Sequence, residues 1–386
     1  MKFLLKFFKW FAIVLASIIV LMYIFDVDYL LRAVRTIYFK GYTTAFLEDY
    51  KEFPNREIKK GVAQPWAIAS DYNTIPATEE LAKNHKELQT IAYLIIKNDS
   101  IWHESYFDGF DENSKSNSFS MAKSIVTMAM GKALMEGKMK SLDQKVTDFF
   151  PELKGTYAKE VTIGDLSSMA SGLSWDEKYY SPFSIVTRAY FDDDLKNVIL
   201  NLDINEKPGQ SFKYLSGATQ LLAMCVEKAT GEHLSAYVSK HFWQPMGAEN
   251  DALWQLDEAP DGIEKAYCCI ASNARDFARF GKLYLNNGKW NNQQILDSAF
   301  VKKCITPRFN ETPHYGYGWW MHNFLGKDLY YMRGHLGQFV IVIPEDELII
   351  VRLGHLKGIQ TSHDPHSEDL YVYVEEAYEM LKLRKK

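Results

Sequence analysis

The chain has 386 residues, of which 47% are apolar and 24% charged, and a formal net charge of −5. That balance fits a globular protein with a sizeable core and excludes disorder over most of the length. With so modest a charge and no long basic run, nucleic acid is a poor partner. The four cysteines (Cys225, Cys268, Cys269 and Cys304) lack a C-x-x-C spacing, so neither a zinc site nor a thioredoxin-like centre is expected. They read as small buried side chains, and a bridge between adjacent Cys268 and Cys269 is not expected because it would strain the chain.

The opening segment "MKFLLKFFKW" carries Lys2, Lys6 and Lys9, and Trp10 to Phe25 then runs without a charge. As a helix that run covers about 24 Å, and Phe7 and Phe8 extend it while Lys9 snorkels toward the headgroups. Lysines before the run and Asp26 and Asp28 after it place the N-terminus in the cytoplasm. The run ends Tyr23-Ile24-Phe25-Asp26, without the small residues of a cleavage site. Residues 1–27 therefore read as an uncleaved, single-pass membrane anchor, with the rest of the chain periplasmic or extracellular. A cleaved signal and a buried N-terminal helix are the alternatives.

Residues 28–80 read as a connector: a short amphipathic helix, then a polar, proline-containing arm. The body is expected over 81–386. "LQTIAYLIIKNDSIWHESYF" (Leu88 to Phe107) alternates around Asn98-Asp99-Ser100 and predicts a β-hairpin. Helical patterns dominate from Ser120 to about Tyr284. Two strand candidates follow, "DLYYMRGHLGQFVIVIPE" and "DELIIVRLGH", and then a closing helix in "DPHSEDLYVYVEEAYEMLKL". The order predicts an α/β fold of the α+β type, in which one antiparallel sheet is built from both chain ends with flanking helices and a helical lobe between. A cleft between such lobes is a common place for a site.

Ser120 and Lys123 stand three residues apart where an apolar helical pattern begins, and i and i+3 share a helix face. The plain interpretation is a capping serine and a solvated lysine. The chemical one is a nucleophile and its base, since the helix dipole and burial both disfavour the ammonium form. Tyr214 and Ser216 precede a second apolar helix; a tyrosine near a lysine can shuttle a proton, or it can be a half-buried aromatic beside an N-cap serine. His335-Leu336-Gly337 opens what reads as a strand. Gly337 would let a ligand approach the backbone near the Gln338 N–H, unless His335 is simply a core histidine.

Taken in order, Ser-x-x-Lys, Tyr-x-Ser and His-x-Gly resemble the motifs of the serine β-lactamase and penicillin-binding-protein superfamily. "VTIGDLSSMASGLSWDE" and the "PGQSFKY" stretch are similar to segments of that family. "KHFWQPMGAENDALWQLD", "ARDFARFGKLYLNNGKW" and "YGYGWW" are similar to its 6-aminohexanoate-dimer hydrolase-like branch of esterases and amidases. The resemblance implies a β-lactamase-like fold and a serine hydrolase without metal or organic cofactor. It implies catalysis by Ser120, Lys123 and Tyr214, an oxyanion hole from the Ser120 and Gln338 backbone N–H groups, and substrate contacts from Tyr179, Ser216, His335 and Gly337. A small-molecule or short peptide-like amide or ester is the expected substrate. Ser216 stands where many members have asparagine and His335 where β-lactamases have lysine, which weakens recognition of an anionic β-lactam. No acidic residue is identifiable as a dedicated deacylation base. A D,D-peptidase or β-lactamase, and a non-catalytic peptidoglycan-binding protein, are the competing readings.

Overall fold

The computed structural model describes residues 1–384, so the last two residues of the expected 81–386 segment lie outside the described residues. The frame is a seven-stranded sheet in the spatial order Trp320–Phe324, Lys327–Gly334, Gln338–Ile343, Leu348–Gly354, Thr90–Lys97, Ser100–Tyr106, Ala67–Ile68. All neighbours are antiparallel except the last, which runs parallel to Ser100–Tyr106. The two chain ends meet at its centre, where Ile350 lies opposite Ile95. The expected hairpin turns on Asn98 and Asp99, both at positive φ (49° and 63°), a backbone that these two residue types tolerate.

Both faces of this sheet are covered, so its strands are apolar nearly throughout rather than alternating. Leu94, Ile96 and Val351 join one core with Phe277 and Phe280 of the helix Ala274–Leu285. Tyr93, Ile95 and Ile350 join another with Leu370, Tyr373 and Val374 of the closing helix Glu368–Leu383. Successive residues of one strand thus serve opposite layers. In the helical lobe, Ala122–Met135 and Ser216–Thr230 pack together and are buried on almost every side, which explains why neither carries a polar face.

Three features differ from the sequence expectation. "DLYYMRGHLGQFVIVIPE" is two strands, because the chain reverses at His335–Gly337 with Leu336 at φ 61° and Gly337 at φ 78°. A second, four-stranded antiparallel sheet gathers short segments scattered in sequence, in the order Asn55–Ile58, Ala252–Gln255, Ile270–Ser272, Ser116–Asn117. Segments this short carry no periodic signal of their own. Finally, Cys268 and Cys269 are joined as a disulfide, the turn between them holding Cys269 at φ 78°; Cys225 and Cys304 are free and buried.

Lys2–Ile24 forms one helix with no buried residue, and among the described residues it alone is long and apolar enough to cross a membrane. The short amphipathic helix Tyr29–Thr36 follows and buries Tyr29, Ala33 and Thr36 against the body. The arm after it is fastened by Asp49, which is fully buried. Its carboxylate accepts hydrogen bonds from Tyr190 Oη (2.6 Å), Gln255 Nε2 (2.8 Å) and Asn117 Nδ2 (2.9 Å). Removing a shared acceptor strands several buried donors. Asp49→Ala is therefore expected to lower the unfolding free energy by about 2–4 kcal/mol, read by urea unfolding in detergent. An unchanged midpoint would show that the carboxylate does not hold the arm.

Candidate active site

The nucleophile candidate is placed by the small sheet. Ser118 is bonded both ways to Ile270: its N–H donates to the Ile270 carbonyl (2.7 Å) and its Oγ accepts from the Ile270 N–H (3.2 Å). Asn117, held by Asp49, accepts from the Phe119 N–H at 2.8 Å. These bonds fix Phe119 at φ 45°, a left-handed conformation that costs a non-glycine residue on the order of 1 kcal/mol. The kink opens a single 3₁₀ turn, Phe119–Met121, that leads into the helix Ala122–Met135. Ser120 is left half-buried at the wall of a cavity.

Lys123 follows one turn later with its side chain inside the protein, only 2% exposed. Its Nζ donates to Ser120 Oγ at 2.8 Å and to the Tyr267 carbonyl at 2.7 Å. The rings of Tyr214 and Tyr267 flank it, their centroids 5.2 and 5.8 Å from the amine. Burial brings its pKa down to about 8, against the opposing pull of the Glu177 carboxylate. The solvated lysine of the plain interpretation is thereby excluded.

Tyr214 lies in the segment leading into Ser216–Thr230, its ring against Trp320 (5.6 Å between centroids). Burial raises its pKa, Glu177 adds to the rise, and Ser120 and Arg333 oppose it, so the phenol holds its proton at neutral pH. Ser216 is not a capping serine but the first residue of its helix. Its N–H and its hydroxyl both donate to Glu177, the hydroxyl at 3.0 Å, so a carboxylate from another loop sits at this helix N-terminus. Tyr179 donates to the same carboxylate, and its ring stacks on His335 at 5.5 Å.

His335 is held between the Tyr179 ring and the Phe119 ring, which stands perpendicular to it at 5.6 Å. Burial lowers its pKa to about 4, with Lys357 adding to the fall, so it is neutral at physiological pH. The turn it begins is braced from behind by the buried Arg352, whose Nη1 donates to the Leu336 and Gly337 carbonyls at 2.9 Å each. A Cβ at Gly337 would sit 2.5 Å from that nitrogen. Gln338 opens the next strand, and its side chain bonds the His335 carbonyl (3.0 Å) and both backbone groups of Gly354. At Gly334 a Cβ would come within 2.3 Å of the Ser118 carbonyl, so glycine is what lets this strand end reach the serine turn.

Lys123 and Tyr214 thus reach Ser120, while Tyr179, Ser216 and His335 line the same cavity, and Gly337 and Gln338 lie in the turn and strand that follow His335. Two groups with no role assigned from sequence join them: the Tyr267 carbonyl, which anchors the lysine, and Glu177. Glu177 sits two residues before Tyr179 in the same loop, so its proximity was within reach of the sequence; a backbone carbonyl has no sequence signal. Among the described residues one group, Glu227, His233 and Glu264, offers metal-ligand spacing. It lies about 16 Å along the helix from Ser216, and Arg56 Nη1 already occupies Glu264 at 2.9 Å.

The depressed lysine has a consequence for stability. With a folded pKa near 8 and an unfolded one near 10.5, the unfolded chain binds the extra proton between those values, so stability rises with pH across that window. The shift corresponds to roughly 3 kcal/mol. The stability difference between Lys123→Met and the wild type should therefore be largest below pH 8 and shrink by about that amount toward pH 10.5. A pH-independent difference would mean that Lys123 keeps an ordinary pKa.

The chain is 25% identical over 236 residues to the 6-aminohexanoate-dimer hydrolase of Paenarthrobacter ureafaciens, a match covering 58% of this chain and 59% of that relative. A solved structure of a putative 6-aminohexanoate-dimer hydrolase from Bacillus anthracis superposes with a TM-score of 0.70 at 23% identity, covering 87% of this chain and 92% of that one. The D-amino acid amidase from Ochrobactrum anthropi SV3 shares the fold at a TM-score of 0.59 and 15% identity, over 79% of this chain and 97% of the other. The family model described as Beta-lactamase matches residues 77–368, most of the chain, and the protein belongs to that family.

Proposed function

We propose that the protein is a serine hydrolase that cleaves an ester or amide through a Ser120 acyl-enzyme. The observation that carries this is the buried Lys123 amine at 2.8 Å from Ser120 Oγ with a pKa brought down to about 8. Once neutral, that amine has a lone pair to accept the serine proton, while the Tyr267 carbonyl holds one of its N–H bonds and fixes its direction. Ser120 Oγ then attacks the carbonyl carbon. The Ser120 and Gln338 N–H groups stabilise the oxyanion, a contribution of about 2.7–4 kcal/mol for one such donor. Tyr214 delivers a proton to the leaving group as the bond to the carbonyl carbon breaks, and Lys123 passes the serine proton on to the phenolate so that both groups are restored. Water attacks the acyl-serine in the second half, giving a proton to Lys123, and that proton returns to Ser120 Oγ as the acid is released. Glu177 acts on these groups electrostatically, sustaining the basicity of Lys123 and of the Tyr214 phenolate.

Ser216, Gly337 and neutral His335 shape the substrate contacts. A neutral histidine offers no cation to a carboxylate, which supports ester or simple amide substrates over β-lactams or D,D-peptides. The N-terminal helix is assigned as the anchor (1–27), with the 28–80 connector and the hydrolase domain that follows outside the cytoplasm. Lysines at Lys2, Lys6 and Lys9 and acids at Asp26 and Asp28 support that orientation.

A fluorophosphonate probe is expected to label Ser120, and Ser120→Ala to abolish labelling and lower kcat/KM by at least about a thousandfold. Lys123→Ala should cost nearly as much, because residues that act as a unit are not additive. Labelling at another serine would refute the assignment. Tyr179 is assigned to the nitrogen side of an amide substrate, where a leaving amine must be protonated; Tyr179→Phe should then reduce linear amide hydrolysis several-fold more than activated ester hydrolysis. Equal losses would limit Tyr179 to shaping the pocket.

A further inference from the structure

A cavity of about 410 Å³ starts at Ser120 and runs beneath the membrane-proximal helix. Its inner end is formed by Phe119, Ser120, Tyr179 and His335. Its outer end is formed by Leu30, Ala33, Val34 and Ile37 of the helix after the anchor, and by Met22 of the apolar N-terminal helix itself. Leu30 to Ile37 alone spans about 10 Å of helix. Among the described residues none of the side chains lining the cavity is an aspartate, glutamate, lysine or arginine, and the one histidine, His335, is buried and neutral. The surface near the outer end is aromatic and open to solvent: Phe39 is 80% and Phe183 75% exposed, with Tyr38 and Tyr180 beside them. Of these, Tyr38 and Tyr180 are of the amphipathic type found at the headgroup level of a bilayer.

We propose that this cavity holds a long apolar acyl chain, and that the substrate is a fatty-acyl ester or amide entering from the membrane in which the N-terminal helix sits. The proposal rests on the serine hydrolase reading. The carbonyl lies at Ser120, and the acyl chain runs along the tunnel under Ala33 and Ile37 toward Met22. The alcohol or amine leaves on the side of the Tyr214 and Tyr179 hydroxyls, the Tyr179 ring facing the cavity, and water then releases the fatty acid. An uncharged tunnel offers nothing to a carboxylate or an ammonium group on the chain, whereas every methylene it takes from water contributes about 0.8 kcal/mol. That figure is about a fourfold gain in kcat/KM per methylene, until the tunnel is full. It also gives a purpose to the closeness of the apolar helix and the nucleophile: the chain passes from bilayer to tunnel without crossing bulk water.

The test uses the full chain in phospholipid nanodiscs and a series of p-nitrophenyl esters from acetate to dodecanoate. The kcat/KM is expected to climb steeply with acyl length. Val34→Trp, a substitution at the half-exposed rim, and Ala33→Trp, deeper in, should each lower the decanoate-to-acetate ratio at least tenfold. A ratio cancels losses from misfolding and from partitioning of the ester into the disc. A flat length series, or a ratio untouched by both variants, would overturn the proposal while acetate turnover kept the hydrolase reading intact. No turnover of any ester and no fluorophosphonate labelling would count against the hydrolase reading instead. In that event binding of a fluorescent long-chain fatty acid to the wild type, weakened by Val34→Trp, would still uphold the tunnel, and no binding would refute it. Decanoate ester held in the same disc as the protein should also be consumed faster than ester held in separate vesicles. Equal rates would contradict entry from the membrane.

Discussion

The arrangement depends on keeping one amine out of water. Lys123 can act on Ser120 only in its neutral form, and the lobe that closes over it brings that form within reach of neutral pH by lowering the pKa to about 8. An ammonium ion in that position would have to be desolvated with no carboxylate in contact, since its two hydrogen-bond partners, Ser120 Oγ and the Tyr267 carbonyl, are uncharged. The nearest acid that acts on it, Glu177, is engaged by Ser216 and Tyr179, and its field moderates the fall in pKa without cancelling it. The helix that carries Lys123 is apolar all round because it must be the wall that excludes water, and that same wall destabilises the charged form.

Around this amine the backbone is held where a freely folding chain would not go. Phe119 is forced left-handed by bonds from Asn117 and Ser118, and Leu336 and Gly337 are forced left-handed by a turn that Arg352 braces. One turn presents the Ser120 N–H and the other leads to Gln338. The two approach closely only because Gly334 has no Cβ to meet the Ser118 carbonyl. The Asp49 cluster links this geometry to the arm, for the asparagine that fixes Phe119 is itself fixed by Asp49. The segment that leads from the apolar helix therefore takes part in holding the Ser120 turn, and it also lines the cavity that Ser120 lines.

The sequence revealed those parts that repeat or that carry rare residues in order. The hairpin at Asn98-Asp99 and the closing helix are long periodic segments with clear turn chemistry, and the sheet built from both chain ends follows from them. Ser120, Lys123, Tyr214 and His335 were visible because reactive types fell at element starts in a familiar order. The small sheet was invisible because its strands run two to four residues and pair across large separations, as Ser116–Asn117 does with Ile270–Ser272. The reversal at His335–Gly337 was hidden inside an apolar run, since burial on both faces removes the alternation that would mark two strands. Glu177 was within reach through Tyr179 two residues on, but the helix start it caps at Ser216 lies 39 positions away, and the Tyr267 carbonyl had no signal because any residue could supply one.

The dependence of kcat/KM on pH tests the role of Lys123 most directly. With an ester whose own groups do not titrate between pH 5 and 10, the acid limb should fall with an apparent pKa near 8, a value that belongs to the Lys123–Tyr214 pair acting together. Replacing His335 with glutamine should leave that limb in place, because His335 titrates near 4. An acid limb near 6.5 that vanished in His335→Gln would make histidine the base and contradict the account. A profile flat from pH 5 to 9 would equally contradict it, by showing that no group with a lysine's depressed pKa has to lose its proton.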